Sequence, residues 1–451
     1  MFDPGRITSF NYRGYEINRD AGVVTCTYSL DDEVWFTETV SLGPGGHWDS
    51  PGVDRAARLI FLLAGISYYK AAAPPVIDLG DLHLTPVERR FLAQFYFEGL
   101  GEFAYNNDLD LSSLHFVGDT AAVAEPVRVE TTPMTPLVPF GGGIDSIVSV
   151  ERLRVVAPDI SLFVVSRPGD RFEAIETAAA VTGLPVVRVG RQIDQQLLQS
   201  RALGFLNGHV PITGILSAIG ILTAVVGGHD ALIMSNEWSA SIGNLEVDGR
   251  VINHQYSKSM TFESSLRAVL AEQFTDESGT VAVEYFSLLR ADSELRIARE
   301  FAGLEQYHPF FRSCNRAFQL DPAARLDHWC GHCDKCVFID LILSPFMSAE
   351  SLASVFSRTL EPLRNPELRA GFERLLGNSP DAKPFECVGE INECRAAARQ
   401  ALERPDRIGA SLLTELVDAL PDDIAELSPE QLLEPLSEDN IASRYRAPHL
   451  D

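Results

Sequence analysis

Three consecutive glycines, an acid and a hydroxyl stand between an apolar run and a helical pattern at Pro139-Phe140-Gly141-Gly142-Gly143-Ile144-Asp145-Ser146, and few backbone paths fit that order. Leu137 to Phe140 predicts a short buried strand. Ile147, Val148, Val150 and Leu153 carry the apolar spacing of a helix that begins near Asp145. Glycines let backbone N–H groups wrap an anion, and a helix N-terminus adds about half a positive charge at the same place. Asp145 cannot itself attract a phosphate, so its role beside one is to hold Mg²⁺, with Ser146 donating to a phosphate oxygen. The alternative is an ordinary glycine-rich turn in which Asp145 or Ser146 caps the helix.

Neither dinucleotide nor P-loop spacing is present: the stretch has no GxGxxG, and no GxxxxGK[ST] with its phosphate-reaching lysine. It resembles instead the SGGxDS loop of the PP-loop ATP pyrophosphatases, which split ATP between its α and β phosphates and adenylate a substrate. Gly141 stands where that family has serine. The backbone nest of Gly141, Gly142 and Gly143 survives this change, while the first hydroxyl is lost. The resemblance implies ATP and Mg²⁺ as cofactors, the metal on Asp145.

A chain of 451 residues has room for two or three domains. Its 37 basic and 63 acidic residues leave a net charge of −26, which disfavours a nucleic-acid partner because nothing draws the chain to a phosphate backbone. No basic stretch followed by an apolar run opens the sequence, so no signal peptide is expected. The longest apolar segments, Leu59 to Ile66 and Ile212 to Val226, are too short for a bilayer and read as buried helices. The expectation is a cytoplasmic protein with no membrane partner, whose cysteines are ligands or core residues rather than disulfides.

Val23 to Tyr28 and Val34 to Val40 alternate apolar and polar positions around Asp31-Asp32, which predicts an antiparallel hairpin. Two helices follow, one near Asp54 to Ala72 and one opened by Thr85-Pro86-Val87-Glu88, a capping box with proline in the first turn. Asp119 to Pro136 has linker composition. From Leu137 strands and helices alternate: Leu162 to Val165, Phe172 to Val181 closed by Gly183, Val186 to Val189, Ile212 to Val226, Ala231 to Met234. That order predicts an α/β fold with a doubly wound parallel sheet, whose ligands lie at strand C-terminal ends. The expected domains are 1–125 (α+β, hairpin plus helices), 126–345 (nucleotide-binding, with a cysteine site) and 346–451 (helical).

Cys330-Gly-His-Cys333-Asp-Lys-Cys336 sets three thiols at successive CxxC intervals, and Cys314 precedes them. Four thiolates make a closed, structural zinc site. An iron–sulfur cluster is the main rival, and His328 or His332 could replace one thiol. Cys26, Cys387 and Cys394 read as isolated core or surface residues.

Three polar segments are out of keeping with their apolar neighbours. Leu206 to Pro211 contains Asn207 and His209, Ser235 to Ala240 contains Asn236 and Glu237, and Ile252 to Ser259 contains Asn253, His254, Gln255 and Lys258. The first two flank a buried helix and a strand end, where a doubly wound sheet builds its site. Any single histidine or lysine is most often a surface or capping residue, but clustering among apolar neighbours favours perturbed, catalytic groups.

Taken with FDPxxxxxFNYRGYEI, PFGGGIDS, LNGHVPITGI, SNEWSASIGN, INHQYSKS and the SCNR and WCGHCDKC pair, the chain resembles the ATP-dependent UDP-N-acetylmuramoyl-L-alanyl-L-glutamate epimerase family (MurL) of peptidoglycan synthesis. The resemblance fades beyond about residue 350. It implies inversion of the terminal L-glutamate of a nucleotide-sugar dipeptide to D-glutamate, with release of AMP and pyrophosphate. Chemistry points the same way: removing the α-proton of a carboxylate piles charge on charge, whereas an acyl-adenylate makes an enolate reachable. His209, His254 and Lys258 are then the candidate acid–base groups, and Asn207, Asn236, Glu237, Asn253 and Gln255 candidate substrate ligands. A 7-cyano-7-deazaguanine synthase-like enzyme, which also joins such a loop to four cysteines, and a non-catalytic nucleotide- and zinc-binding module are the alternatives.

Overall fold

The computed structural model describes residues 2–123, 125–247, 249–379, 386, 388–421 and 427–446. Cys387 lies outside the described residues. A ten-stranded mixed sheet organises the chain. Five parallel strands form one half, in the spatial order Glu284–Ser287, Ala231–Met234, Leu137–Pro139, Ser161–Ser166, Val186–Gln192. In chain order they run 5-4-1-2-3, so the winding reverses between Leu137–Pro139 and Ala231–Met234. A crevice opens at such a reversal, outside the strand C-termini.

The expected hairpin is present and larger than its sequence signal. Ser9–Asn18, Val23–Leu30 and Val34–Ser41 form an antiparallel meander, and the turn between the last two uses Asp31 and Asp32 at positive φ. Val76–Asp78 and His115–Val117 add in parallel at its far side. The meander joins the parallel half through Thr39 to Ser41 paired with Gln192 to Gly190. Beside this seam Arg191 Nε donates to buried Glu38 at 2.7 Å, and the Tyr68 hydroxyl donates to the same carboxylate at 2.9 Å. The paired charge, satisfied by two donors, avoids the cost of an isolated buried carboxylate.

Strand alternation sends side chains to two separate cores. Leu137, Phe163, Leu232 and Met234 pack on one face with the helices Gly52–Ala64, Pro86–Gly99 and Ile212–Gly227. Val138, Leu162, Val164, Ala231 and Ile233 pack on the other with Ile144–Leu153, Glu173–Thr182 and the C-terminal helices Asp334–Leu343 and Ile391–Leu402. Each fully buried Ile or Leu contributes roughly 1.5–3 kcal/mol. The result is a parallel-dominated sheet covered on both faces, as near-continuous apolar strands require.

Local signals act where expected. Thr85 and Glu88 form a reciprocal capping box with Pro86 in the first turn. Gly183, at φ 65°, closes Glu173–Thr182 in the left-handed conformation. Ile212–Gly227 is buried along nearly its whole length. No described helix is long and apolar enough to cross a membrane.

Candidate active site

The glycine loop sits at the crevice. Strand Leu137–Pro139 ends one residue before Phe140, and helix Ile144–Leu153 starts with Gly143 as N-cap and no side chain capping it. Its first backbone N–H groups are therefore donors that no side chain at the cap takes up. Gly142 has φ +75°, and a Cβ there would lie 2.6 Å from the Ala174 carbonyl oxygen. Only glycine fits that turn. The Arg312 backbone N–H donates to the Gly142 carbonyl at 3.0 Å and clamps the loop from behind.

A cavity of about 410 Å³ opens beside this loop. Gly141, Gly143, Asp145 and Ser146 line it together with Asn236, Lys258 and Ser313, over an apolar floor that includes Val165 and Met234. Ser146 Oγ donates to the Gly143 carbonyl at 3.1 Å, so its hydroxyl serves the loop in this structure. Lys258 Nζ donates to Gln255 Oε1 at 2.9 Å. The Asn236 backbone is bound in both directions by Ser287 Oγ, at 2.6 Å each. Next to it Glu237 is 2% exposed, and its Oε2 has no hydrogen-bond partner among the described residues. Burial, with Asp145, Glu237 and Glu393 nearby, holds the Glu294 carboxyl well above the usual range.

The two candidate histidines meet elsewhere, outside the set of residues lining that cavity. Their rings lie 4.1 Å apart. Glu102, from the short helix Gly101–Asn106, hydrogen-bonds His254 Nδ1 and lies 3.9 Å from His209 Nδ1. Burial, reinforced by His254, draws His209 down to about 4. Lys70 stands at the same loop, donating to Asn207 Oδ1 at 3.3 Å and to the Gly208 carbonyl at 2.9 Å, and burial lowers it to about 8. Asn253 Nδ2 donates to the Ala240 carbonyl at 2.9 Å, and its Oδ1 accepts from the Gln255 N–H. The segment from His254 to Lys258 thus links the histidine cluster to the cavity.

Glu102, Lys70 and Arg312 carried no sequence signal. Glu102 and Lys70 come from helical segments remote in sequence from the polar motifs, and their burial is a product of tertiary packing.

Cys314, Cys330, Cys333 and Cys336 converge, with every sulfur within 4.8 Å of the others. The separations are 3.5 Å for Cys333 to Cys336, 3.7 Å for Cys330 to Cys336 and 3.9 Å for Cys314 to Cys333. A tetrahedron with zinc–sulfur bonds of about 2.3 Å has edges of roughly 3.8 Å. A polynuclear cluster would spread the sulfurs farther, so the set fits a single ion and could bind zinc. His332 Nδ1 is instead 2.8 Å from the Cys330 carbonyl, and His328 pairs with Asp327.

Residues 1–288 match the MurL N-terminal domain and residues 281–431 the MurL C-terminal domain. The chain belongs to the MurL family. It is 37% identical over 406 residues to a UDP-N-acetyl-alpha-D-muramoyl-L-alanyl-L-glutamate epimerase of Xanthomonas oryzae pv. oryzae, covering 88% of this chain and 86% of that protein. An epimerase of the same name from Salinispora tropica is 38% identical over 425 residues, covering 92% of this chain and 90% of the relative. A third, from Micromonospora sp., is 37% identical over 426 residues, covering 92% of each.

Proposed function

We propose that this MurL-family chain is an epimerase that inverts the terminal L-glutamate of UDP-N-acetylmuramoyl-L-alanyl-L-glutamate, using ATP to adenylate the glutamate carboxylate. The observation that carries the reading is the 410 Å³ cavity, where the uncapped N-terminus of Ile144–Leu153, the Gly141–Gly143 turn, Asp145 and Lys258 converge at the sheet's winding reversal. Backbone donors there suit the phosphates of ATP in the manner of a PP-loop. Asp145 supplies an oxygen ligand for Mg²⁺, and the ion would neutralise charge building on the departing pyrophosphate.

Adenylation removes the carboxylate charge that would oppose loss of the α-proton. Inversion then needs one group to take the proton and another to return it on the opposite face, after which water cleaves the acyl-adenylate, restoring the carboxylate and releasing AMP. His209 and His254 are adjacent rings held by one carboxylate, so they serve as a single acid–base position. Lys258, in the cavity with Asp145, serves as the other. Asn207, Asn236, Glu237, Asn253 and Gln255 are the groups assigned to hold the substrate, Asn236 among them lining the cavity. Four thiolates at Cys314, Cys330, Cys333 and Cys336 leave a zinc ion no open position, which makes it structural.

The test is incubation of the purified chain with ATP, Mg²⁺ and UDP-muramoyl-L-alanyl-L-glutamate, followed by chiral analysis of the released glutamate. D-glutamate appearing only with ATP supports the reading. Unchanged L-glutamate with the ATP consumed would overturn it.

A further inference from the structure

Arg290 does not line the glycine-loop cavity, yet it grips two segments that do. It lies shortly after the edge strand Glu284–Ser287 and is 1% exposed. Glu263, equally buried, holds it, with Oε2 2.9 Å from Nη2 and 3.2 Å from Nε. The same guanidinium reaches two other stretches of chain. Nη1 donates to the Glu237 carbonyl at 3.2 Å, and Nη2 donates to the Lys258 carbonyl at 2.7 Å. Glu263 extends the hold, since its Oε2 also accepts from the Ser287 N–H at 3.1 Å while Ser287 Oγ binds the Asn236 backbone. Its Oε1 accepts from Asn440 Nδ2 at 2.8 Å. One buried ion pair thus joins the backbone of Asn236-Glu237 to that of Lys258, and Asn236 and Lys258 are both walls of the cavity.

The donors of a guanidinium are fixed in one plane, so the two carbonyls it binds cannot drift apart independently. A lysine ammonium rides on a flexible four-carbon stem and is placed only as well as its backbone is. Lys258 ends a single turn, Tyr256–Lys258, just before Ser259 caps the helix Met260–Gln273 that carries Glu263. We infer that Arg290, backed by Glu263, is a positioning residue that sets the separation of Lys258 and Asn236-Glu237 across the cavity. The inference rests on the proposed epimerisation, in which Lys258 moves the proton while Asn236 and Glu237 hold the substrate. A buried ion pair adds little stability over well-packed apolar side chains of similar volume, so replacing both partners together separates positioning from folding.

Steady-state kinetics on the full-length, zinc-loaded chain tests this with the double variant Arg290→Met, Glu263→Met and with Arg290→Lys, each checked by urea unfolding. The double variant should stay folded, with ATP affinity and zinc content unchanged. Its kcat for epimerisation should fall about tenfold or more, while KM for the nucleotide-sugar dipeptide moves by less than about threefold. Arg290→Lys keeps a charge opposite Glu263, but one ammonium cannot span the carboxylate and both carbonyls, so kcat should fall to a similar extent. If the double variant does not fold, the lysine variant decides. Wild-type kcat in either folded variant would overturn the inference, because packing or a counter-charge alone would then suffice. A loss confined to KM would overturn it as well. Hydrogen exchange reads the link without turnover: amides of 236–241 and 256–259 should lose protection together in both variants, with those of 144–153 unchanged. If the wild type failed to epimerise while these segments loosened together in the variants, the reaction would fall and the link stand. If it epimerised and the segments kept their protection in the variants, the link would fall and the reaction stand.

Discussion

The imidazoles of His209 and His254 lie 4.1 Å apart, centroid to centroid, tilted by 41°. Two rings this close cannot stand on opposite sides of one tetrahedral carbon, which needs the substrate between them. They share Glu102 and act from one direction, so the partner on the other face must come from a different element, and Lys258 is the candidate.

Substrate turned over in deuterated water should therefore carry deuterium at the glutamate α-carbon, because a protein group that takes the proton exchanges it with solvent. Lys258→Gln and His209→Gln should differ in kind: one should abolish α-proton exchange from the L isomer, while the other leaves exchange without inversion. NMR of the α-proton reports both. Product free of solvent deuterium would rule out the two-position scheme.

His209 also predicts a stability profile. Its folded value is drawn down to about 4 by burial, against an ordinary value near 6.5. The unfolded chain therefore binds the extra proton across that window. Stability from this site is full above about pH 6.5 and is lost as pH falls toward 4, by on the order of 3 kcal/mol at most. Urea unfolding across that range should show the slope, and His209→Gln should flatten it.

Asp145→Asn should lower ATP consumption at least 100-fold with the fold intact by circular dichroism, since a neutral amide is a poor Mg²⁺ ligand. In the wild type, phosphorus NMR should show AMP and pyrophosphate as products. ADP would refute adenylation.

Gly142→Ala places a Cβ 2.6 Å from the Ala174 carbonyl at a positive φ. The cost should be about 1–3 kcal/mol in thermal or urea unfolding, with ATP affinity reduced because the loop must move. An unchanged melting temperature would show that the turn relaxes freely.

Elemental analysis should find one zinc per chain, and Cys333→Ser should lose it together with cooperative unfolding, since binding a structural ion is part of folding. Iron in its place would overturn the assignment.

The alternating half of the fold was legible because its signals are local. Apolar strands of three to seven residues separated by helices read directly from the sequence for four of the five parallel strands, and Ala231–Met234 matched residue for residue, whereas the edge strand Glu284–Ser287 was not expected. Three of the four thiols were legible for the same reason, since CxxC spacing fixes Cys330, Cys333 and Cys336 within a turn, and Cys314, sixteen residues upstream, completed the count of a tetrahedral site. The glycine loop and Lys258 were visible as motifs, and the cavity unites them. Glu102 and Arg312 were not, since a glutamate on a short helix and an arginine between two aromatic and cysteine-bearing turns look like ordinary surface residues. What distinguishes them is burial without, or with unusual, partners, a property of long-range packing. The joining of the N-terminal meander to the parallel strands through residues 39–41 and 190–192 was hidden too, because pairing between distant strands leaves no periodicity behind.

That continuous sheet has a consequence for how such a protein can be inherited. The two family segments overlap at residues 281–288, where the edge strand Glu284–Ser287 pairs with Ala231–Met234. A gene broken just before that strand would yield a first product whose Ala231–Met234 backbone is bare along one side, and whose second core around Val138, Ala231 and Ile233 keeps Ile144–Leu153 and Glu173–Thr182 but loses the C-terminal helices. Open apolar edges recruit other chains. The first segment keeps one core of its own, but its bared strand and its half-covered second face tie it to the C-terminal segment.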